Sequence, residues 1–155
     1  MDSGVALVMI FSGATNPLVV KQDLKQMIPS FTEGIYKAFA SNKLVVLAAS
    51  IRFFLLTGID YHDHVTEWGV HWNFFMTIAC LNVMGVFIRS SKYAIVYAIG
   101  ILMIQEFIQI HWDLKTYIYH APRNDLVSAN REGIVSILGY FALQLVGIFI
   151  GREVY

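Results

Sequence analysis

Apolar residues in this chain are gathered into runs long enough to cross a bilayer, and that grouping restricts the fold more than any other feature. Tyr93 to Ile110 and Gly133 to Ile150 each have the length needed to span a hydrocarbon core of roughly 30 Å at about 1.5 Å of rise per residue. Trp72 to Ile88 is similar and Leu44 to Ile59 slightly shorter. A weaker run from Gly4 to Val20 is interrupted by Ser12, Gly13, Asn16 and Pro17. The chain is 57% hydrophobic and 14% charged, whereas soluble domains carry about 25% charged residues. The sequence therefore predicts an all-α polytopic membrane protein, with five membrane helices forming part of a larger bundle. Residues 1–155 read as a single membrane-embedded region.

If the helices alternate in direction, Lys21, Lys25, Lys37, Lys43, Arg89, Lys92 and Arg152 fall on one side, and only Lys115, Arg123 and Arg131 on the other. Basic residues concentrate in cytoplasmic loops, so the first group is assigned to the cytosol. The segments around His64 and around Asn130 then share the opposite face. The connection Lys21 to Lys43 carries spaced apolar residues (Leu24, Met27, Ile28, Phe31, Ile35, Tyr36, Phe39) and reads either as a short surface helix or as a solvated loop. The tight link Arg89-Ser90-Ser91-Lys92 makes the third and fourth helices antiparallel neighbours. The N-terminus lacks a basic region followed by a cleavage site, so no cleaved signal peptide is expected. Zero net charge without a basic patch argues against nucleic acid as a partner. The lone Cys80 reads as a small buried hydrophobe. The chain opens almost inside one apolar run and stops directly after another, as a portion of a longer protein would.

Polar density is highest in Asp60-Tyr61-His62-Asp63-His64-Val65-Thr66-Glu67-Trp68-Gly69-Val70-His71-Trp72-Asn73. If Asp63 caps a helix that continues into the third span, His64, Glu67 and His71 share one face over two turns. A carboxylate beside an imidazole near a low-dielectric wall can serve as a general-base pair. Two other readings stand beside it. The histidines and aspartates offer metal ligands, although no recognised metal spacing is present. Alternatively they cap and anchor helix ends, with Trp68 and Trp72 in the interfacial aromatic belt. Spacing alone leaves the choice open. A second polar stretch, His120 to Gly133, has a turn at Pro122 and Asn124-Asp125, with Ser128 or Asn130 as a helix cap. Arg123 and Arg131 there could hold a lipid phosphate, or simply sit at the interface. Within the spans lie Arg52 and Glu106. A charge at the centre of a span costs about 2.5–3.5 kcal/mol, so both should face protein or a wet cavity, as an ion pair or a cavity lining.

The segments Asp63-His64-Val65-Thr66-Glu67-Trp68-Gly69-Val70-His71-Trp72-Asn73-Phe74-Phe75 and Ser128-Ala129-Asn130-Arg131-Glu132-Gly133-Ile134 resemble the two signature segments of the GPI inositol acyltransferases. This family comprises the phosphatidylinositol-glycan biosynthesis class W proteins of animals and the GPI-anchored wall transfer proteins of fungi. The second segment continues as Val135-Ser136-Ile137-Leu138-Gly139-Tyr140, again like the family, and Met1-Asp2-Ser3-Gly4-Val5 is similar to its M-D-x-G-V. Asp63 stands where the family usually has Glu. Members are considerably longer, and their upstream F-P-R-R segment, with a neighbouring Asp and Lys that are candidates for the catalytic centre, is not among residues 1–155.

The resemblance implies transfer of a fatty acyl group, typically palmitoyl, from acyl-CoA to the inositol 2-hydroxyl of glucosaminyl-phosphatidylinositol, in the endoplasmic reticulum membrane. Acyl-CoA enters as a substrate, and neither a bound cofactor nor a metal is expected. His71 with Glu67 would form the catalytic pair, with His64 and Asn73 in support. Asn130, Arg131, Glu132 and Arg123 would order or bind the glycolipid head group. Its partners would be the two substrates, the bilayer and the remaining helices of a longer chain. The alternative is a truncated, non-catalytic membrane scaffold or binding relative.

Overall fold

The computed structural model describes residues 3–15, 31–58, 70–85, 88 and 91–154. Among these the chain is helical without strands: α1 (Ser3–Ala14), α2 (Phe31–Gly58), α3 (Phe74–Gly85), a 3-10 turn (Ser91–Tyr93), α4 (Ala94–His111), α5 (Leu114–His120), α6 (Leu126–Ala129) and α7 (Arg131–Val154). Two of them, α4 and α7, are long and apolar enough to cross a membrane by length and composition, while α1 and α3 are shorter apolar helices.

Helix α7 is the hub. Helices α1, α3 and α4 all pack on it, and α2 packs on α3. The core follows from that arrangement: Met9 of α1, Leu81 of α3, Ala94 and Ala98 of α4, and Tyr140, Phe141, Ala142, Leu145 and Ile148 of α7 form one buried cluster. Helices α1 and α7 meet backbone to backbone. A Cβ added at Gly13 would overlap the Gln144 carbonyl, and one at Gly147 would overlap that of Ile10. At Gly151 it would crowd the Ala14 carbonyl. Small residues spaced by four let membrane helices approach this closely, trading side-chain burial for backbone dispersion. Asparagines hold α2 to α3: Asn82 Nδ2 donates to Asn42 Oδ1 at 2.6 Å, and Asn73 Nδ2 to the Ala49 carbonyl at 3.3 Å.

These contacts fix helix directions. Ile10 lies at Gly147 and Ala14 at Gly151, so α1 and α7 are parallel. Asn42 pairs with Asn82 while Ala49 pairs with Asn73, so α2 and α3 are antiparallel. Gln105 lies against Gly139, about 12 Å from the start of α7, while the Ser91–Tyr93 turn, about 18 Å back along α4, still touches α7. A parallel α4 would carry that turn past the start of α7, so α4 is antiparallel to it.

Several expectations are corrected. Of the connection Lys21 to Lys43, residues 21–30 lie outside the described residues, and 31–43 form the first turns of the 28-residue α2, because neither glycine nor proline interrupts Ile35 to Thr57. The third apolar run does not begin its helix at Trp72: α3 starts at Phe74, capped by Asn73, whose Oδ1 accepts the Met76 N–H at 3.1 Å. Helix α4 makes its main packing with α7 rather than with α3. A short helix, α5, occupies the connection after α4. It is entered through Asp113, whose φ of 43° is left-handed, a region aspartate tolerates better than most residues.

Candidate functional site

The second polar stretch folds as a corner of interlocked helix ends. Asp125 caps α6: its Oδ1 accepts the N–H groups of Val127 and Ser128, each at 2.8 Å, and Ser128 Oγ accepts the Asp125 N–H at 3.1 Å. These bonds, the Ser128 N–H foremost, hold the exposed Asp125 carboxyl below the usual carboxylate range. Arg131 is 3% exposed and closes the end of α5, donating from Nε to the Ile118 carbonyl at 2.9 Å and from Nη1 to that of Ala121 at 2.6 Å. Its guanidinium also lies 5.4 Å from the Tyr117 ring centre. Arg123 reaches the buried Glu132 with both Nη atoms and gives a further bond to the Ala129 carbonyl at 2.8 Å. Pairing both arginines inside the corner is what allows Glu132 to be buried at the start of α7.

The first polar stretch is bonded into this corner. Val70 N–H donates to the Ala129 carbonyl at 2.9 Å. The N–H groups of His71 and Trp72 both donate to Asn130 Oδ1, at 2.7 and 2.8 Å, and Asn130 Nδ2 donates to the Leu126 carbonyl at 2.8 Å. Trp72 is pinned further by its indole N–H on Thr77 Oγ1 at 2.8 Å. The His71 imidazole is exposed, with its ring edge-on to Phe53 of α2 at 5.4 Å between centres. An accessible imidazole therefore stands where the end of α2, the start of α3 and the start of α7 converge.

A sequence model of the GWT1 family matches residues 1–155. The chain belongs to the GWT1 family. Among curated proteins it is similar to GPI-anchored wall transfer protein 1 of Saccharomyces cerevisiae, 34% identical over 152 residues that cover 95% of this chain and 31% of that protein. The phosphatidylinositol-glycan biosynthesis class W protein of Dictyostelium discoideum is 32% identical over 112 residues, covering 72% of this chain and 23% of its own length. GPI-anchored wall transfer protein 1 of Gibberella zeae is 44% identical over 101 residues, 63% of this chain and 20% of that protein. The chain thus spans about a third or less of these GWT1-family relatives.

Of the residues singled out in the sequence, His71, Asn73, Arg123, Asn130, Arg131 and Glu132 come together at this corner, while His64 and Glu67 lie outside the described residues. His71 is not on a helix running from Asp63. The N–H groups of Val70, His71 and Trp72 are turned to Ala129 and Asn130, so Val70 to Asn73 is a bend ahead of α3. Asn130 stands immediately before α7, yet its side chain holds His71 and Trp72 rather than capping that helix. The cap in this corner is Asp125, which the sequence reading overlooked although Asp125 and Ser128 stand at capping-box spacing. The expected pair of Arg52 and Glu106 does not form. Glu106 is exposed on α4, which packs on α7, whereas Arg52 is on α2, which packs on α3.

Proposed function

We propose that this GWT1-family chain acts in GPI-anchor biosynthesis as part of an inositol O-acyltransferase of the endoplasmic reticulum membrane. The reaction would move a fatty acyl group, typically palmitoyl, from acyl-CoA to the inositol 2-hydroxyl of glucosaminyl-phosphatidylinositol. The observation that carries this reading is the bonding of Val70–Trp72 to Ala129–Asn130, which draws the two signature segments into one corner with an exposed imidazole. The names of its relatives, GPI-anchored wall transfer protein 1 and phosphatidylinositol-glycan biosynthesis class W protein, support the pathway.

In the proposed chemistry His71, oriented by Glu67, takes the proton of the inositol hydroxyl. The alkoxide oxygen bonds to the thioester carbonyl carbon, the carbon–sulfur bond breaks, and the proton passes to the departing CoA thiolate. His64 and Asn73 support the rim. Arg123, Asn130, Arg131 and Glu132 order the corner that receives the glycolipid head group. On this reading the chain would cross the membrane five times, in the segments that contain α1, α2, α3, α4 and α7. The apolar stripe Leu44, Leu47, Ile51, Phe54 and Leu55 on α2, and Leu102, Met103, Phe107 and Ile110 on α4, are exposed in the way lipid or further helices of a longer chain require.

The test is expression in cells lacking their own inositol acyltransferase, with labelled glucosaminyl-phosphatidylinositol as the readout. Acylated product is expected, falling about 10²-fold or more in His71→Gln and in Glu67→Gln, as loss of a general base does. Full activity in both variants would overturn the catalytic assignment. No product from the chain alone, with rescue by a full-length relative, would make it a non-catalytic part of such an enzyme.

A further inference from the structure

We infer that Asn130 is a positioning residue, which sets the His71 imidazole for reaction without touching substrate. The inference rests on the proposed role of His71. Asn130 is 7% exposed, and its side chain is committed to the protein. Both lone pairs of Oδ1 are taken, by the N–H groups of His71 and Trp72 at 2.7 and 2.8 Å, and Nδ2 is given to the Leu126 carbonyl at 2.8 Å. No acceptor remains for a glycolipid hydroxyl, and the one Nδ2–H left over belongs to a buried side chain. Two successive amides aimed at one oxygen fix the two peptide planes that flank the His71 Cα, and with them the direction in which the His71 side chain leaves the backbone.

A second strap runs alongside. Glu132 holds Arg123, Arg123 holds the Ala129 carbonyl, and that same carbonyl takes the Val70 N–H. The Phe53 ring meets the imidazole edge-on from the α2 side. The orientation of His71 is thus set by the first residues of α7 and their approach, a segment 58 to 59 positions away in the chain. A misplacement of a reacting group by 1 Å can cost about 10²-fold in rate, so a residue with no substrate contact can carry that much of kcat.

The experiment compares wild type, Asn130→Ala, Asn130→Asp and His71→Gln in membranes of cells lacking their own inositol acyltransferase. If the chain alone gives no product, the same changes are made at the aligned positions of the Saccharomyces cerevisiae relative. N130A is expected to lower kcat by roughly 10²-fold while KM for both substrates stays within a few-fold. Amide exchange should quicken in Val70 to Asn73 and stay slow within α7. N130D keeps the accepting oxygen and should recover part of kcat, and it decides the matter if N130A fails to accumulate. A rise in KM at constant kcat would make Asn130 a substrate contact, and faster exchange throughout α3 and α7 would make it a general structural residue. Either overturns the inference. Full activity in H71Q would defeat the underlying reading as well, whereas an inactive H71Q beside a fully active N130A would defeat the inference alone.

Discussion

Asn73 performs two tasks with one amide. Its oxygen caps α3 through the Met76 N–H, its nitrogen reaches the Ala49 carbonyl of α2, and it is 4% exposed. Asn73→Ala should lower stability by about 1 kcal/mol for the cap alone, as thermal unfolding in detergent would reveal. Asn73→Asp keeps the cap but loses the donor to Ala49 and buries a charge, so it should be destabilised as well. Asp125 allows a sharper test because its cap carries charge. Its folded pKa lies below the unfolded one, since the Ser128 N–H and its companions bind the ionised carboxylate. The stabilisation is therefore complete above the unfolded pKa of about 3.9 and is lost as pH falls through the lower folded value. Amide exchange over Leu126–Ala129, corrected for the intrinsic rate, should quicken on acidification through that window. In Asp125→Asn the acid dependence should disappear.

At the scale of elements, the α1–α7 crossing depends on the absence of side chains. Gly147→Val would drive a branched Cβ into the Ile10 carbonyl, and the helices would have to separate along their whole shared face. Gly100→Ala on α4 is the matched control, since nothing lies within 4 Å of the added carbon. The first should lower the melting temperature and the yield of folded protein markedly. The second should leave both unchanged or raise them slightly, by up to about 1 kcal/mol from helix propensity. The same elements mark what a reader of the sequence can recover. Tyr93 to Ile110 and Gly133 to Ile150 foreshadow α4 and α7 closely, because an apolar run bounded by polar residues is a local signal. The continuity of α2 through Lys37 and Lys43 is hidden by charges that resemble a loop, although no residue there breaks a helix. The bend at His71 is not legible at all, because the oxygen that holds it belongs to Asn130. The glycine pair of α7 was open to a reader, since Gly147 and Gly151 stand at the spacing that close-packed membrane helices use.

For the whole molecule, the packing contacts determine a pattern of directions. Helix α1 is parallel to α7. Helix α3 also starts at the same end as α7, where Val70–Trp72 meet Ala129–Asn130. Helices α2 and α4 run against their packing partners. The proposed five passes of the bilayer require that alternation, and it puts the Ser91–Tyr93 turn and the end of α7 at one end of the helices, with the α5–α6 corner at the other. Single cysteines test it. In a Cys80→Ser background, K92C and E153C should react with a membrane-impermeant thiol reagent from the cytosolic side of sealed vesicles, the side favoured by the basic residues. N124C should react only after the vesicles are opened. Labelling of N124C and E153C from the same side would mean that α7 does not cross, and the five-pass arrangement would fall with it. If instead the two sides separate as expected, the His71 corner faces the lumen. On the proposed function, the glycolipid head group would then be presented there, and the acyl donor would have to reach that face through the membrane helices.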